Sequence, residues 1–105
     1  MSDPAATREE ATPFAVAHEE GPSKGRYAIR LDGAEAEMTY TRAGEQLVII
    51  DHTSVPDALR GRGLGAVLVA RAVEDARAAG KTIMPLCPFA KAQFDRHPDW
   101  SDVRG

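Results

Sequence analysis

The sequence predicts an α+β domain with one mixed sheet: an antiparallel β-meander followed by α-β-α. Three observations predict it. Apolar residues alternate with a period of two in three runs from Arg26 onward, joined by short turn signals. The period then becomes helical directly after a glycine-rich stretch. A last strand and a short helix follow, punctuated by Gly80, Pro88 and Pro98.

In the first strand Tyr27, Ile29 and Leu31 alternate with Ala28 and Arg30, and Asp32-Gly33 signals a hairpin. In the second, Ala34, Ala36, Met38 and Tyr40 share one face, while Glu35, Glu37, Thr39 and Arg42 line a wet one. Ala43-Gly44-Glu45 makes the next turn. The third strand is LVIIDHTSV, residues 47–55; its first four residues are apolar on both faces, which predicts a central strand covered on both sides. Pro56 and Asp57 end it. In the long helix Leu64, Leu68, Ala72 and Ala76 form one stripe, with Val67 and Val73 beside it and Gly80 as the stop. TIMPL, residues 82–86, is the fourth strand, and Pro85 places it near an edge or a bulge. Pro88 opens a short helix over 89–96, His97-Pro98 closes it, and Trp100 is expected to dock on the domain. The crossover between the third and fourth strands makes them run parallel or splay apart.

A chain of 105 residues implies one domain. Its charge is uneven. In residues 1–22 Asp3, Glu9, Glu10, Glu19 and Glu20 face Arg8 alone, and Pro4, Pro13 and Pro22 interrupt the stretch. This reads as an acidic, flexible segment ahead of a domain at 23–105, with Phe14-Ala15-Val16 able to dock or form a short edge strand. The remainder is only slightly basic, which argues against nucleic acid as a partner. The single cysteine, Cys87, excludes an intramolecular disulfide and a multi-cysteine zinc site, and a free thiol fits a reducing cytoplasm. No apolar run approaches membrane-span length, and no signal peptide is read. Asp51, Asp95 and the histidines lack metal-ligand spacing.

RGRGLG, residues 60–65, stands between the third strand and the long helix. A helix mouth has unpaired N–H groups and partial positive charge. Glycines leave those donors accessible, and Arg60 and Arg62 add forked cations, so the arrangement suits a phosphate or pyrophosphate. The plainer reading is a tight soluble turn; placement after a strand and directly into an apolar helix favours the anion site. A Walker loop is excluded because Gly65-Ala66-Val67 replaces its Gly-Lys-Ser/Thr. Gly61, Gly63 and Ala66 formally meet the dinucleotide fingerprint, but a hairpin meander precedes them and too little chain remains for a doubly wound sheet.

Arg60-x-x-Gly63-x-Gly65 resembles the Q/R-x-x-G-x-G/A signature of the GNAT acetyltransferases. The blocks HTSVP, RGRGLG, PLCPF and RHPDW resemble, in order and spacing, the short single-domain branch of that superfamily, over roughly residues 24–103. The resemblance implies a minimal acyl-CoA N-acyltransferase fold and acetyl-CoA, or coenzyme A, as cofactor. It implies binding by Arg60, Gly61, Arg62, Gly63, Leu64, Gly65 and Ala66, with Thr53, Ser54 and Val55 beside the pantetheine. The chain departs from larger members by lacking a helical segment between its first two strands, which leaves the acceptor open.

Many members carry a tyrosine on the last helix to protonate the departing thiolate; here FAKAQFDRH has none. Beside the resemblance, this points to Cys87 as the acid or as the carrier of an acyl group; the plainer reading is a small buried hydrophobe. His52 is the general-base candidate by residue type, placed by alternation on the face of Ile50 and Ser54, and is equally readable as a strand histidine satisfied by a neighbour. His97 suits a helix C-terminus, His18 an exposed tail, and Lys91 and Arg96 a solvated helix face or a remote phosphate. The expected function is acetyl transfer to an unidentified amine by a cytoplasmic monomer or weak dimer that engages no membrane. The alternatives are a coenzyme A-binding module with little catalysis and a small phosphate-binding interaction domain.

Overall fold

In the computed structural model, which describes residues 14–105, alternation places Tyr27, Ile29, Ala36, Met38, Tyr40 and Ile50 on one face of a five-stranded sheet. The strands are β1 (Ala17–Glu20), β2 (Lys24–Leu31), β3 (Ala34–Ala43), β4 (Leu47–Ser54) and β5 (Thr82–Pro85), in that spatial order. β1 to β4 pair antiparallel, and β5 runs parallel to β4. Helices α1 (Leu64–Ala79) and α2 (Pro88–Asp95), with a 3-10 turn at Pro98–Val103, pack on the sheet and on each other. This is the α+β architecture the sequence predicts, with one strand more.

That strand is β1. Phe14 and Val16 pack against the core, and pairing begins at Ala17. The sheet thus starts inside the acidic segment, and the expected boundary at residue 23 falls between two paired strands. The expectations for residues 1–13 lie outside the described residues. His18 is exposed, as read from sequence, and stacks on Tyr27 with ring centroids 4.2 Å apart. Its Nε2 lies 2.6 Å from the Tyr40 hydroxyl, which donates to Glu20 at 2.9 Å and so accepts from the imidazole.

The β2–β3 turn carries positive φ at Asp32 and Gly33, the two-residue hairpin that Asp-Gly signals. β4 lies inside the sheet, but among the described residues the helices cover one of its faces only. Val48 and Ile50 face the core; Leu47 and Ile49 face outward, half-buried between Ala43 and Thr41 on β3 and Thr82 and Met84 on β5. The expectation of a strand covered on both sides is corrected: side chains on the adjacent strands, not a second layer, shelter the outer residues.

Leu64, Leu68, Val69, Ala72, Val73 and Ala76 are the buried apolar residues of α1. Val69 takes the fully buried place beside the stripe, and Val67 is half-buried. Gly80 closes the helix in the left-handed conformation, its N–H reaching Ala76 and Arg77 carbonyls. Trp100 docks as expected, edge-on to Phe94 and stacked on His97. His97 Nδ1 lies 2.7 Å from the Gln93 carbonyl at the end of α2. Arg77 holds the C-terminal turn through two 2.8 Å bonds to Asp102, and Arg104 bridges to Ile83 along the outer edge of β5.

Two buried tyrosines tie these layers together. Tyr27 donates to Asp75 on α1 at 2.8 Å. Tyr40 lies across Gly25, its cross-strand partner, to reach β1. A Cβ at position 25 would clash with the Tyr40 hydroxyl and the ring carbon that carries it. Gly25→Ala is therefore expected to cost about 1–3 kcal/mol by overpacking, measured by urea unfolding. Burial first, then the carboxylate hydrogen bonds, raises both phenol pKa values well above the ordinary one. The folded chain thus keeps these protons longer than the unfolded chain. Their stabilising contribution is intact below about pH 10 and is lost as the pH rises beyond it. In an alkaline titration, tyrosinate absorbance is expected to appear together with unfolding rather than before it.

Candidate active site

β4 and β5 pair only between Leu47–Ile50 and Thr82–Pro85. The Ile50 carbonyl then receives the N–H groups of both Leu86 (3.1 Å) and Cys87 (3.3 Å), and the chain turns into α2. β5 ends there, and β4 continues to Ser54 with no parallel neighbour along that edge. Of the sequence expectation that these strands run parallel or splay apart, the parallel arrangement is the one observed.

A β-bulge sits at the same level. Thr39 pairs with His52 and Tyr40 with Ile50, leaving Asp51 as the extra residue. Beyond it the alternation inverts. Thr53 pairs with the buried Met38 and faces the core, whereas His52 and Ser54, opposite Thr39 and Glu37, face outward and are exposed. Asp51 also faces outward and accepts from the Thr41 hydroxyl at 2.8 Å. The placement of His52 on the face of Ile50 is thereby corrected, because the inserted residue breaks the period of two on which it rested.

On the core side Thr53 and Cys87 meet, with 3.3 Å between Oγ1 and Sγ. Cys87 is the N-cap of α2, and its sulfur accepts the Ala90 N–H at 3.3 Å. The thiol is thus held by two polar partners just past the end of β5, buried but for 6% of the residue's surface. Cys87 and His52 lie on opposite faces of β4.

The loop into α1 is anchored by Leu59, fully buried at the end of the 3-10 turn Asp57–Leu59. Val55 packs on the core just before it. Gly61 and Gly63 both have left-handed φ, 83° and 74°, which only glycine adopts without strain. Open space lies where their side chains would be. Gly63 is the N-cap and, having no side chain, leaves the helix uncapped. The first helical bond is Val67 N–H to the Gly63 carbonyl, so the N–H groups of Leu64, Gly65 and Ala66 have no helical acceptor. Leu64 points its own side chain into the core.

Gly65 has a different reason. A Cβ there would come within 2.6 Å of the Phe89 ring, which lies over the first turn of α1 and is 39% exposed. Sequence reasoning missed Phe89; the available signal was a glycine in the first helical turn with no turn to make. Arg60 and Arg62 are exposed and paired with Asp57 (3.1 Å) and with Asp32 of the β2–β3 hairpin (3.0 Å). Such exposed pairs are weak and exchange readily for a stronger anion. Lys91 pairs with Asp95 along α2. Among the described residues, no three His, Cys, Asp or Glu side chains converge on a metal position, and no helix is long and apolar enough to cross a membrane.

The sequence and the fold have counterparts in known proteins. A family model described as GCN5-related N-acetyl-transferase matches residues 26–103. A GCN5-like protein from Staphylococcus aureus, solved by NMR in solution, superposes with a TM-score of 0.64 at 32% identity, over 85% of this chain and 87% of its own. Protein NATD1 of Gallus gallus is 33% identical over 75 residues, 70% of this chain and 66% of its own length. The Homo sapiens protein of that name is 33% identical over 73 residues, 68% and 63% respectively. The chain spans just under two thirds of the length of these curated relatives. Fold and sequence agree, and the chain belongs to the GCN5-related N-acetyltransferase family.

Proposed function

We propose that the protein binds acetyl-CoA and transfers its acetyl group to an amine. The observation that carries this reading is the uncapped mouth of α1 beside the unpaired end of β4: three N–H donors without a helical acceptor, two side-chain-free turn residues and two weakly paired arginines. These residues fit a diphosphate, since any side chain at Gly61 or Gly63 would strain the loop, and a capping side chain at Gly63 would take one of the donors. Leu64, Gly65 and Ala66 would hold the diphosphate through their amides, with Arg60 and Arg62 adding charge. The backbone of Thr53, Ser54 and Val55, past the end of the β5 pairing, would lie along the extended arm. When bound, the cofactor supplies a thioester whose acetyl group a neutral amine can take.

The chain's own groups divide the remaining work between two faces. On the core side Cys87, held by Thr53 and the Ala90 N–H, is placed to give a proton to a departing thiolate or to carry the acetyl group. On the outer side His52 is exposed and free to take a proton from an entering amine. One observation favours the rival reading of a binding module with little catalysis: the sulfur of Cys87 already caps a helix, which is a structural use for it.

Calorimetric titration with acetyl-CoA is expected to show saturable binding. Arg60→Glu combined with Arg62→Glu should weaken it by about tenfold or more without lowering the melting temperature, because the ion pairs lost are exposed. Absence of binding at high micromolar concentration overturns the proposal. Mass spectrometry after incubation with acetyl-CoA separates the two roles of Cys87. An acetylated thiol that added amines discharge identifies a carrier. Thiol release without acetylated protein, slowed by Cys87→Ala, identifies an acid. No turnover with any amine supports the binding module.

A further inference from the structure

The core side of the sheet holds a cavity of about 500 Å³, a size typical of small-molecule sites. Val48, Ile50 and Ile83 of β4 and β5 line it, opposite Ala72, Ala76 and Ala79 of α1. Tyr27, Tyr40 and His18 stand on its β1–β3 side, and Lys81 stands on its β5 side, just past the end of α1. The cavity is apart from the glycine loop. Arg71 is the first residue of α1 on its wall, roughly 10 Å along the helix from Leu64. No residue from Asp51 to Ala70 lines it, and neither does Cys87.

The charges around this cavity are matched, with one exception. Asp75 pairs with Arg71 and accepts the Tyr27 hydroxyl. Glu20 pairs with Arg42 and accepts the Tyr40 hydroxyl. Lys81 is half-buried, and among the described residues its ammonium has no ion pair or hydrogen bond. Nor is that ammonium spent as a cap, because the backbone N–H groups of Gly80 and Lys81 close α1 on the Ala76 carbonyl. Apolar walls with one unmatched cation at the edge suit a ligand with an apolar body and one negative end.

We propose that this cavity is a second ligand site, one that takes a short aliphatic carboxylate. The carboxylate meets the Lys81 ammonium. The hydrocarbon chain lies between α1 and the inner residues of β4 and β5, and extends toward the tyrosines. An amine is the poorer occupant, because both carboxylates on the wall already hold an arginine. The site is separate from the helix mouth and does not rest on the acetyl-transfer reading.

The test follows the backbone amide signals of the full chain by NMR during titration with butyrate, hexanoate and octanoate, and with hexan-1-ol. Saturable shifts are expected in β4, β5 and the second half of α1, and none at residues 64–66. Affinity should rise about threefold for each added methylene, the scale of burying one such group. Lys81→Met should weaken hexanoate by about tenfold or more, the scale of a charge-assisted hydrogen bond, and leave hexan-1-ol unchanged. Lys81→Arg, which keeps the charge, should retain most of the affinity. Octanoate should bind equally with and without acetyl-CoA present. The length series on the unaltered chain decides the matter if the methionine variant does not fold. The proposal is overturned if octanoate shows no saturation below about 10 mM. Affinity indifferent to chain length, equal effects of Lys81→Met on acid and alcohol, shifts centred on residues 64–66, or displacement of octanoate by acetyl-CoA also overturns it.

Discussion

The carbonyl of Ile50 is where this sheet stops being regular, and the candidate site depends on it. It takes two N–H groups, from Leu86 and Cys87, and thereby ends the β4–β5 ladder. One residue later the bulge at Asp51 reverses the facing of β4. The end of the ladder leaves the last residues of β4 without a partner on that edge, and the reversal aims Thr53 at Cys87 and His52 away from both. A sheet whose pairing ran unbroken to Ser54 would leave no unpaired β4 backbone on that edge to line an extended ligand. Two local irregularities in the hydrogen-bond pattern therefore do what an added loop would do elsewhere, at little cost in a short chain.

Most of the fold was legible because its signals are local. Period-two alternation gave β2 and β3, Asp32-Gly33 their turn, and Gly80 the end of α1. β1 was hard to see because its sequence, AHEE, has no apolar alternation. Its support comes from Tyr27 and Tyr40, residues far along the chain that receive His18 and Glu20. A strand stabilised by polar contacts to distant tyrosines leaves little trace in hydropathy.

The candidate site was legible in part, for a related reason. A glycine-rich approach to a helix is a local pattern, and RGRGLG could be read directly as an uncapped, accessible helix mouth. The faces of His52 and Thr53 could not, because a bulge is decided by pairing with the neighbouring strand. Any residue after it inherits an error of one position. Glycines within the same motif also proved unlike. Gly61 and Gly63 answer a backbone requirement, and Gly65 answers a neighbour that only the folded chain supplies.

The contact between Gly65 and Phe89 links two segments that sequence alone leaves separate. Phe89 lies two residues after Cys87, in the first turn of the helix that the thiol caps. The ring rests on the first turn of α1, so the floor of the glycine loop and the cap of α2 share a wall. Positions 65 and 89 are therefore not free to evolve alone. A side chain larger than glycine at 65 requires a smaller one at 89, and a lineage that made the first change before the second would shift the thiol along with the loop.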